Sequence, residues 1–598
     1  MCAIFGIVGK YEYLKAKSAF EKLKHRGPDH SNILHTNNFF LAHQLLKIQQ
    51  SVHIQPYSYK DTLISFNGEI YNYKELAKEL NSFGYETEDE ISVLASAYDK
   101  WGIEFIHKLR GMFAIAIKDK DRLYLFRDRL GKKPIYYLED ESFVFASEIK
   151  ALVPYLKKNK LNQDALLSYL SFLSPTPPYT FFEGIKKLGC GEYLVYKDHK
   201  VAIKKYFNIL QTKKKTITDK DEAIELLESK IKESIDLRLD STQNIASLLS
   251  GGIDSATINY FASKQNKNIQ TYTLGYKGYE KYDESTDAKE SAKFLNLKNK
   301  RVEVSLDEYI SNAENILDQM DEPLNDPAAI PLYMLFKEIY KDGYKVVLSG
   351  EGSDELFLGY RHYFNYLDVE HLKNLKNKNW LKKYFKNNYD ENREWEWYKR
   401  VLNDSVLFRT SGEKFTDLQK NKLLRQNIKD DQSLKYIQPY RDLFNNSSHN
   451  DEANWYSYID LELFQAEHFL SKLDRVSMAN SIESRTPFLD HELVSLVFNI
   501  DPKLKYENAN TKYLLKQVMK PHLNKEILTR KKKGFSNPYM EYLIESKKIS
   551  VIQEVNKQTG LFKERELKEL ILGAKSGTFK HHIWGLYVLS VWIKKNLL

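Results

Sequence analysis

Leu248-Leu249-Ser250-Gly251-Gly252-Ile253-Asp254-Ser255 decides how this chain folds. An apolar run, Ile245 to Leu249, leads into it, and Ala256-Thr257-Ile258-Asn259-Tyr260-Phe261-Ala262 follows. That order predicts a buried strand, a glycine turn and a helix. Two adjacent glycines let the backbone turn tightly and present successive N–H groups, which together with the helix N-terminus form an anion site. Ser250 and Ser255 add hydroxyl donors, and Asp254 stands where a carboxylate could hold magnesium against phosphates. The loop lacks the lysine of a GxxxxGK[ST] motif. Taken alone, it could also be an ordinary glycine-rich turn.

Moving outward, Asp221 to Leu239 has helical periodicity, with Ile224, Leu227, Ile231, Ile235 and Leu239 on one face. Thr271 to Tyr276 and Arg301 to Val304 read as strands, with a helix from Tyr282 to Leu295 between them. Alternating strands and helices predict a doubly wound parallel sheet with ligands at the carboxyl ends of its strands. Two acidic loops fall at such positions: Asp321-Glu322-Pro323-Leu324-Asn325-Asp326-Pro327, and Ser349-Gly350-Glu351-Gly352-Ser353-Asp354-Glu355. A solvated acidic turn explains one such loop but explains two poorly; a cation facing the phosphate loop explains both.

The first 208 residues read as a separate domain. Removal of Met1 would leave Cys2 with a thiol and a free α-amine of pKa ~7.7–8.0, able to act as base for that thiol. The competing reading is a small residue opening a buried strand, Cys2 to Val8. His25-Arg26-Gly27-Pro28-Asp29 predicts a compact turn, and Phe66-Asn67-Gly68-Glu69-Ile70-Tyr71-Asn72 an Asn-Gly turn ending a strand, Thr62 to Phe66. Such a turn can aim a side-chain amide and a backbone N–H at one point, as an oxyanion hole requires. Phe126-Arg127-Asp128-Arg129-Leu130-Gly131-Lys132-Lys133-Pro134-Ile135-Tyr136-Tyr137 reads as a polar turn between strands, and Phe145 to Leu152 as the lead into a helix.

At 598 residues the chain is too long for one core. Its 42% apolar and 29% charged residues describe a soluble globular protein, and a net charge of +9 is mild at this length. Scattered lysines read as solvated surface rather than a nucleic-acid face. Two cysteines, Cys2 and Cys190, cannot build a disulfide framework and predict a reducing compartment. No run approaches the ~18 apolar residues of a membrane span, and the N-terminus lacks a basic leader. The expectation is a cytoplasmic protein without nucleic-acid or membrane partners.

The loop at 250–255 matches the SGGxDS loop of the PP-loop ATP pyrophosphatases. The ordered set Met-Cys-x-Ile-x-Gly, HRGPD, NGEIYN, GMFA, RDRLGKKP and FASEIKAL, followed by Ser-Gly-Gly-Ile-Asp-Ser, Lys472 to Ala479 and Ser481 to His491, resembles glutamine-hydrolysing asparagine synthetases. The resemblance implies two domains. Residues 2–208 would be an αββα sandwich with an N-terminal nucleophile, a class II glutamine amidotransferase. Residues 209–220 would be a linker, and 221–598 a doubly wound α/β synthetase domain with helical additions, 378–448 being an insertion without legible chemistry. It also implies roles: Cys2 as nucleophile, Asn67 and the N–H of Gly68 as oxyanion hole, and Glu69 in the glutamine pocket. Leu248, Leu249, Ser250, Gly251, Gly252, Asp254, Ser255, Leu274, Ser349 and Gly350 would border ATP, with Asp254 and Asp354 on Mg2+. Glu351 would position or deprotonate during adenylate and amide formation, and Lys512 would stabilise charge on the adenylate and pyrophosphate. Arg530 to Phe535 would close over phosphates, and a homodimer is a form the family often takes.

Two departures stand out. Where the family has His-Glu-Arg-Leu, this chain has His43-Gln44-Leu45-Leu46, so the arginine for the glutamine α-carboxylate is replaced by Leu45. The aspartate for the α-ammonium corresponds to Glu90, one methylene longer. An unpaired buried substrate charge costs several kcal/mol, roughly. The expectation is weak or altered glutamine binding, or use of free ammonia. The acceptor is expected to be L-aspartate, giving L-asparagine through an acyl-adenylate; the alternative acceptor is another carboxylate, such as a sugar acid.

Overall fold

A computed structural model of the chain describes residues 2–211, 216–388, 393–408, 414–429, 431–531, 534 and 536–598. The first part is a sandwich of two six-stranded sheets. Strand Cys2–Val8 lies inside one sheet, antiparallel to Phe39–Leu45 on one side and Phe143–Ala146 on the other. Strand Thr62–Ile70 lies in the second, against Gly111–Asp119. Alternation along the strands builds three layers of apolar contact. Ile4, Leu41, Ala114 and Leu125 pack between the sheets. Ala3, Phe5 and Ile7 point the other way, onto Ala16, Ala19 and Phe20 of helix Tyr13–Glu21. The outer face of the second sheet packs on helices Tyr73–Ser82 and Glu90–Trp101 through Leu76, Leu80 and Leu94. This is the expected αββα arrangement.

The second part is built on a five-stranded, wholly parallel sheet. Numbered by chain position within the sheet, its strand order is 3-2-1-4-5, beginning with Ile245–Leu248 as strand 1 and ending with Glu483–Arg485 as strand 5. Both faces are covered, and the inner strands Ile245–Leu248 and Val346–Leu348 are nearly all apolar, whereas the outermost strands, Lys298–Val304 and Glu483–Arg485, are mostly polar or charged. Ile245, Val346 and Leu348 join one core with helix Ile253–Gln265, while Ala246 and Val347 join another with helix Ala329–Lys341. The order reverses between Ile245–Leu248 and Val346–Leu348, and the crevice beyond that point is where open α/β sheets bind ligands.

Three local expectations need correction. Asn67-Gly68 is not a turn: strand Thr62–Ile70 runs straight through it, with Asn67 opposite Ala114 and Gly68 opposite Phe113. Glycine is required at 68 by close packing, because a Cβ there would lie 2.0 Å from the Met112 carbonyl oxygen. The segment after Ala146 forms two 3-10 turns, Ile149–Ala151 and Val153–Tyr155, rather than a helix. The polar turn at 127–133 is a turn, but every residue of it is buried. Asp128 organises it by accepting from the N–H groups of Leu130, Lys132 and Lys133 at 3.2, 3.0 and 2.9 Å.

That turn is buried because the two parts meet across a charged interface. Arg26 reaches Asp474 at 2.8 and 3.2 Å and Glu148 at 2.8 Å. Arg110 holds Asp490 with two bonds of 3.0 Å. Arg127 and Lys187 share Glu467 at 2.9 and 3.0 Å. Glu467 sits on a ten-residue π-helical stretch, Asp460–Phe469, nearly all of it buried. Its wider turn is a common device where side chains must be re-aimed. The stretch 209–220 opens with a buried 3-10 turn, Ile209–Gln211; Ile217 pairs with Ile500, and Asp219 caps the next helix, Lys220–Arg238. The segment 378–448 contributes helices Lys378–Asn387, Arg393–Leu402, Asp417–Leu423 and Leu434–Asn445.

Candidate active sites

The first site forms where the two antiparallel sheets bring Cys2 to Asn67. The Cys2 backbone N–H donates to Asn67 Oδ1 at 2.9 Å. Asn67 Nδ2 is buried and meets no hydrogen-bond partner among the described residues. A buried donor left open costs about 1–3 kcal/mol unless something fills it. Its position beside Cys2 suits an oxyanion. Burial pushes the Cys2 thiol above its ordinary pKa. Leu45 is the register partner of Cys2 on the neighbouring strand, so the two side chains share a face. The position therefore presents an apolar group where a guanidinium would be needed.

The polar end of this pocket is acidic. Glu69 accepts from Gln49 at 2.8 Å and pairs with Arg485 at 3.3 Å. Burial pushes its carboxyl up to about 7 against the pull of Arg485. Glu90 accepts from the Ile70 N–H at 2.7 Å, and burial plus the Glu69 charge push it well above the carboxylate range. Burial also opposes ionisation of Glu483, but Arg485, bonded to it at 2.6 Å, keeps it below its usual value. Arg485 and Glu483 belong to the last strand of the parallel sheet, so the second domain supplies part of this pocket. The sequence pattern Ser-Ile-Glu-Ser-Arg-Thr-Pro assigns Arg485 no role; its strand, Glu483-Ser484-Arg485, is wholly polar yet buried.

The second site lies at the sheet reversal. Gly251 has φ +80, and a Cβ there would strike the Asp287 backbone at 2.7 Å. Ser255 Oγ lies 3.2 Å from both the Ser250 N–H and Ser250 Oγ, closing the loop on itself. Arg530 donates to the Gly251 carbonyl at 2.7 Å, a tether that sequence reasoning placed over phosphates instead; Lys532, Lys533 and Phe535 of that segment lie outside the described residues. Ser353 Oγ donates to Asp254 at 2.7 Å, joining the two loops. Lys512 bridges Asp254 and Asp354 at 2.5 and 2.8 Å. It does so from the left-handed conformation, φ +54, which is uncommon for a side chain other than glycine's. Gly350 packs on Asp254, and a Cβ on it would lie 3.3 Å from that residue's own Cβ.

Leu248 ends strand Ile245–Leu248 with Leu249 just beyond it, Ser349 follows strand Val346–Leu348, and Leu274 lies within strand Gln270–Tyr276. Leu249 and Leu274 are buried in the core, and the Ser349 N–H donates to the Arg485 carbonyl at 2.9 Å. Burial pushes Glu351 up to about 7, with Lys472 opposing and Asp326 and Asp354 adding to the rise. The acidic loop at 321–326 needs correction: it does not gather around a cation. Asp321 accepts from the Ile149 N–H at 2.8 Å and Glu322 from the Phe181 N–H at 2.7 Å, both in the first domain. Asp326 is held well below the carboxylate range: burial opposes ionisation, and Lys472 at 2.7 Å overrides it. Among the described residues no cluster of three or more metal-ligating side chains exists. Asp254 and Asp354 offer oxygen ligands on two facing loops, which suits magnesium, an ion that takes one or two carboxylates plus phosphate oxygens.

A cysteine nucleophile domain joined to a phosphate-loop domain defines an ATP-dependent carbon–nitrogen ligase that uses glutamine. Family models agree in both halves: "Glutamine amidotransferase domain" matches residues 1–207 and "Asparagine synthase" residues 226–594. The chain belongs to the asparagine synthase family. It is 32% identical to "Asparagine synthetase [glutamine-hydrolyzing] 1" of Bacillus subtilis, covering 100% of this chain and 97% of that one. A "Putative asparagine synthetase [glutamine-hydrolyzing]" of Mycobacterium bovis is 28% identical over 87% of this chain and 83% of its own. "Asparagine synthetase [glutamine-hydrolyzing] 3" of Bacillus subtilis is 28% identical over 90% and 87%.

Proposed function

We propose that the chain converts ATP, L-aspartate, L-glutamine and water to AMP, diphosphate, L-asparagine and L-glutamate through a β-aspartyl-AMP intermediate. The observation that carries this is the joining of Asp254, Asp354 and Lys512 at the sheet reversal, within one molecule that also pairs Cys2 with Asn67. The aspartate carboxylate attacks the α-phosphorus and diphosphate leaves, its charge met by Lys512 and the N–H groups of the glycine loop. Magnesium, held by Asp254 and Asp354, would neutralise phosphate charge. Cys2 attacks the glutamine amide carbon while Asn67 Nδ2 and the Gly68 N–H receive the oxyanion; the C–N bond breaks to release ammonia, and water then hydrolyses the thioester to L-glutamate and restores the thiol. Met1 lies outside the described residues, and its removal would free the Cys2 amine as base. Ammonia then displaces AMP, and Glu351, near neutrality, takes the surplus proton.

Leu45 beside Cys2 favours a second reading of the nitrogen source, in which free ammonia does much of the work. The test supplies Mg-ATP and aspartate with either glutamine or ammonium and measures asparagine by mass spectrometry. Product from both donors supports the first reading. Product from ammonium alone supports the second. No product from folded protein would turn the search to another acceptor, a sugar acid foremost.

A further inference from the structure

Far from both sites, residues 371–388 contain six lysines and no aspartate or glutamate. Helix Lys378–Asn387 within this segment has one face turned inward. Phe385 stacks on Trp395 of helix Arg393–Leu402 at 4.5 Å, and that second helix is anchored by buried Trp397 and Val401. Trp380 is 65% exposed; Tyr384, one turn on, is 47% exposed although its ring also lies 5.8 Å from that of Trp395, and Leu375, just before the helix, is 42% exposed. Single exposed apolar residues need no explanation, but three within ten positions, set among lysines, form a patch. Lys378 and Lys382 are neutralised by Asp404, at 2.6 and 3.6 Å, and Lys373 by Glu370 at 2.5 Å. Lys376 and Lys383 make no ion pair with any described residue, and both are exposed beside Trp380 and Tyr384. A lysine-rich helix with an outward tryptophan and tyrosine has the chemistry of a helix that lies in a lipid headgroup layer.

We propose that the Leu375–Tyr384 face docks on an anionic membrane surface, with Trp380 and Tyr384 entering the headgroup region and Lys376 and Lys383 facing acidic lipid. Such a contact is peripheral and needs no spanning helix; no helix among the described residues is long and apolar enough to cross a membrane. The occupant is argued from charge: Lys376 and Lys383, without an ion pair among the described residues, flank an apolar centre, complementary to an acidic bilayer. The contact is independent of the chemistry at Cys2 and Lys512.

The test is co-sedimentation of the full chain, at low salt, with vesicles of phosphatidylglycerol and phosphatidylcholine, against vesicles of phosphatidylcholine alone. Binding to the anionic vesicles only, weakened about tenfold in Trp380→Ala and again in Lys383→Glu, is the expected result. Both variants should keep the parent's melting temperature and its ATP-dependent amidation in solution. Absence of binding to the anionic vesicles overturns the proposal. So does binding that both variants leave unchanged, and so does equal binding to neutral vesicles.

Discussion

Glu351 and Leu45 each carry a consequence that a single substitution can test. With its carboxyl near 7, Glu351 is half protonated at neutral pH and gains base character as pH rises. The ammonium-driven rate, expressed per unit of unprotonated ammonia, should climb through about pH 7 and level above it. Glu351→Gln should abolish that limb and lower kcat by about two to four orders of magnitude. A limb that survives the substitution would move the base elsewhere. At Leu45 the missing charge should be restorable. Leu45→Arg is expected to lower the glutamine KM by about tenfold, the worth of one charge-assisted bond, and to leave the ammonium-driven rate unchanged. An unchanged glutamine KM would mean that the α-carboxylate is held by another group.

Among the elements, the loops after the first and fourth parallel strands use glycines for close approach as well as for backbone freedom, which Gly251 and Gly352 need at φ +80 and +91. A Cβ on Gly359 would fall 2.1 Å from Asp354 Oδ1, 2.5 Å from Lys512 Cε and 2.8 Å from the Asp354 Cα. Gly359→Ala should therefore push the carboxylate and ammonium apart and cut ATP–diphosphate exchange at least a hundredfold or so, with glutamine hydrolysis at Cys2 spared. Exchange at the parent rate would show that the Lys512 bridge is dispensable. The strand, glycine turn and helix at 245–265 were legible because each depends on local pattern: an apolar run, two glycines, then a helical stretch. Asn67-Gly68 was misread because the dipeptide favours a turn locally, whereas its pairing with Phe113 and Ala114 continues the ladder. The acidic loop at 321–326 misled for the same reason, since its donors, Ile149 and Phe181, come from a different domain. Arg485 was passed over because its partner Glu69 is more than four hundred residues away in the chain.

Across the whole molecule, the two halves are joined by buried ion pairs set among apolar cores that also span them. Both members of Arg26–Asp474 are almost fully buried, as are those of Arg127–Glu467. Removing one partner strands the other charge in a dry interface, at a cost of about 3–5 kcal/mol. Asp474→Ala should lower the melting temperature by several degrees and reduce glutamine-driven synthesis more than ammonium-driven synthesis, because the two sites are then less firmly coupled. A melting temperature within a degree or so of the parent's would mean that water reaches Arg26.

The polar turn at 127–133 also bears on how the protein is made. Its cations leave the ribosome early, whereas Glu467 and Asp474, the partners of Arg127 and Lys133, are translated more than three hundred residues later. During that interval the nascent first half carries arginine and lysine side chains without the carboxylates they meet in the finished protein. A gene split near residue 208 should therefore yield two fragments that are poorly behaved when made apart and recover when produced together in one cell.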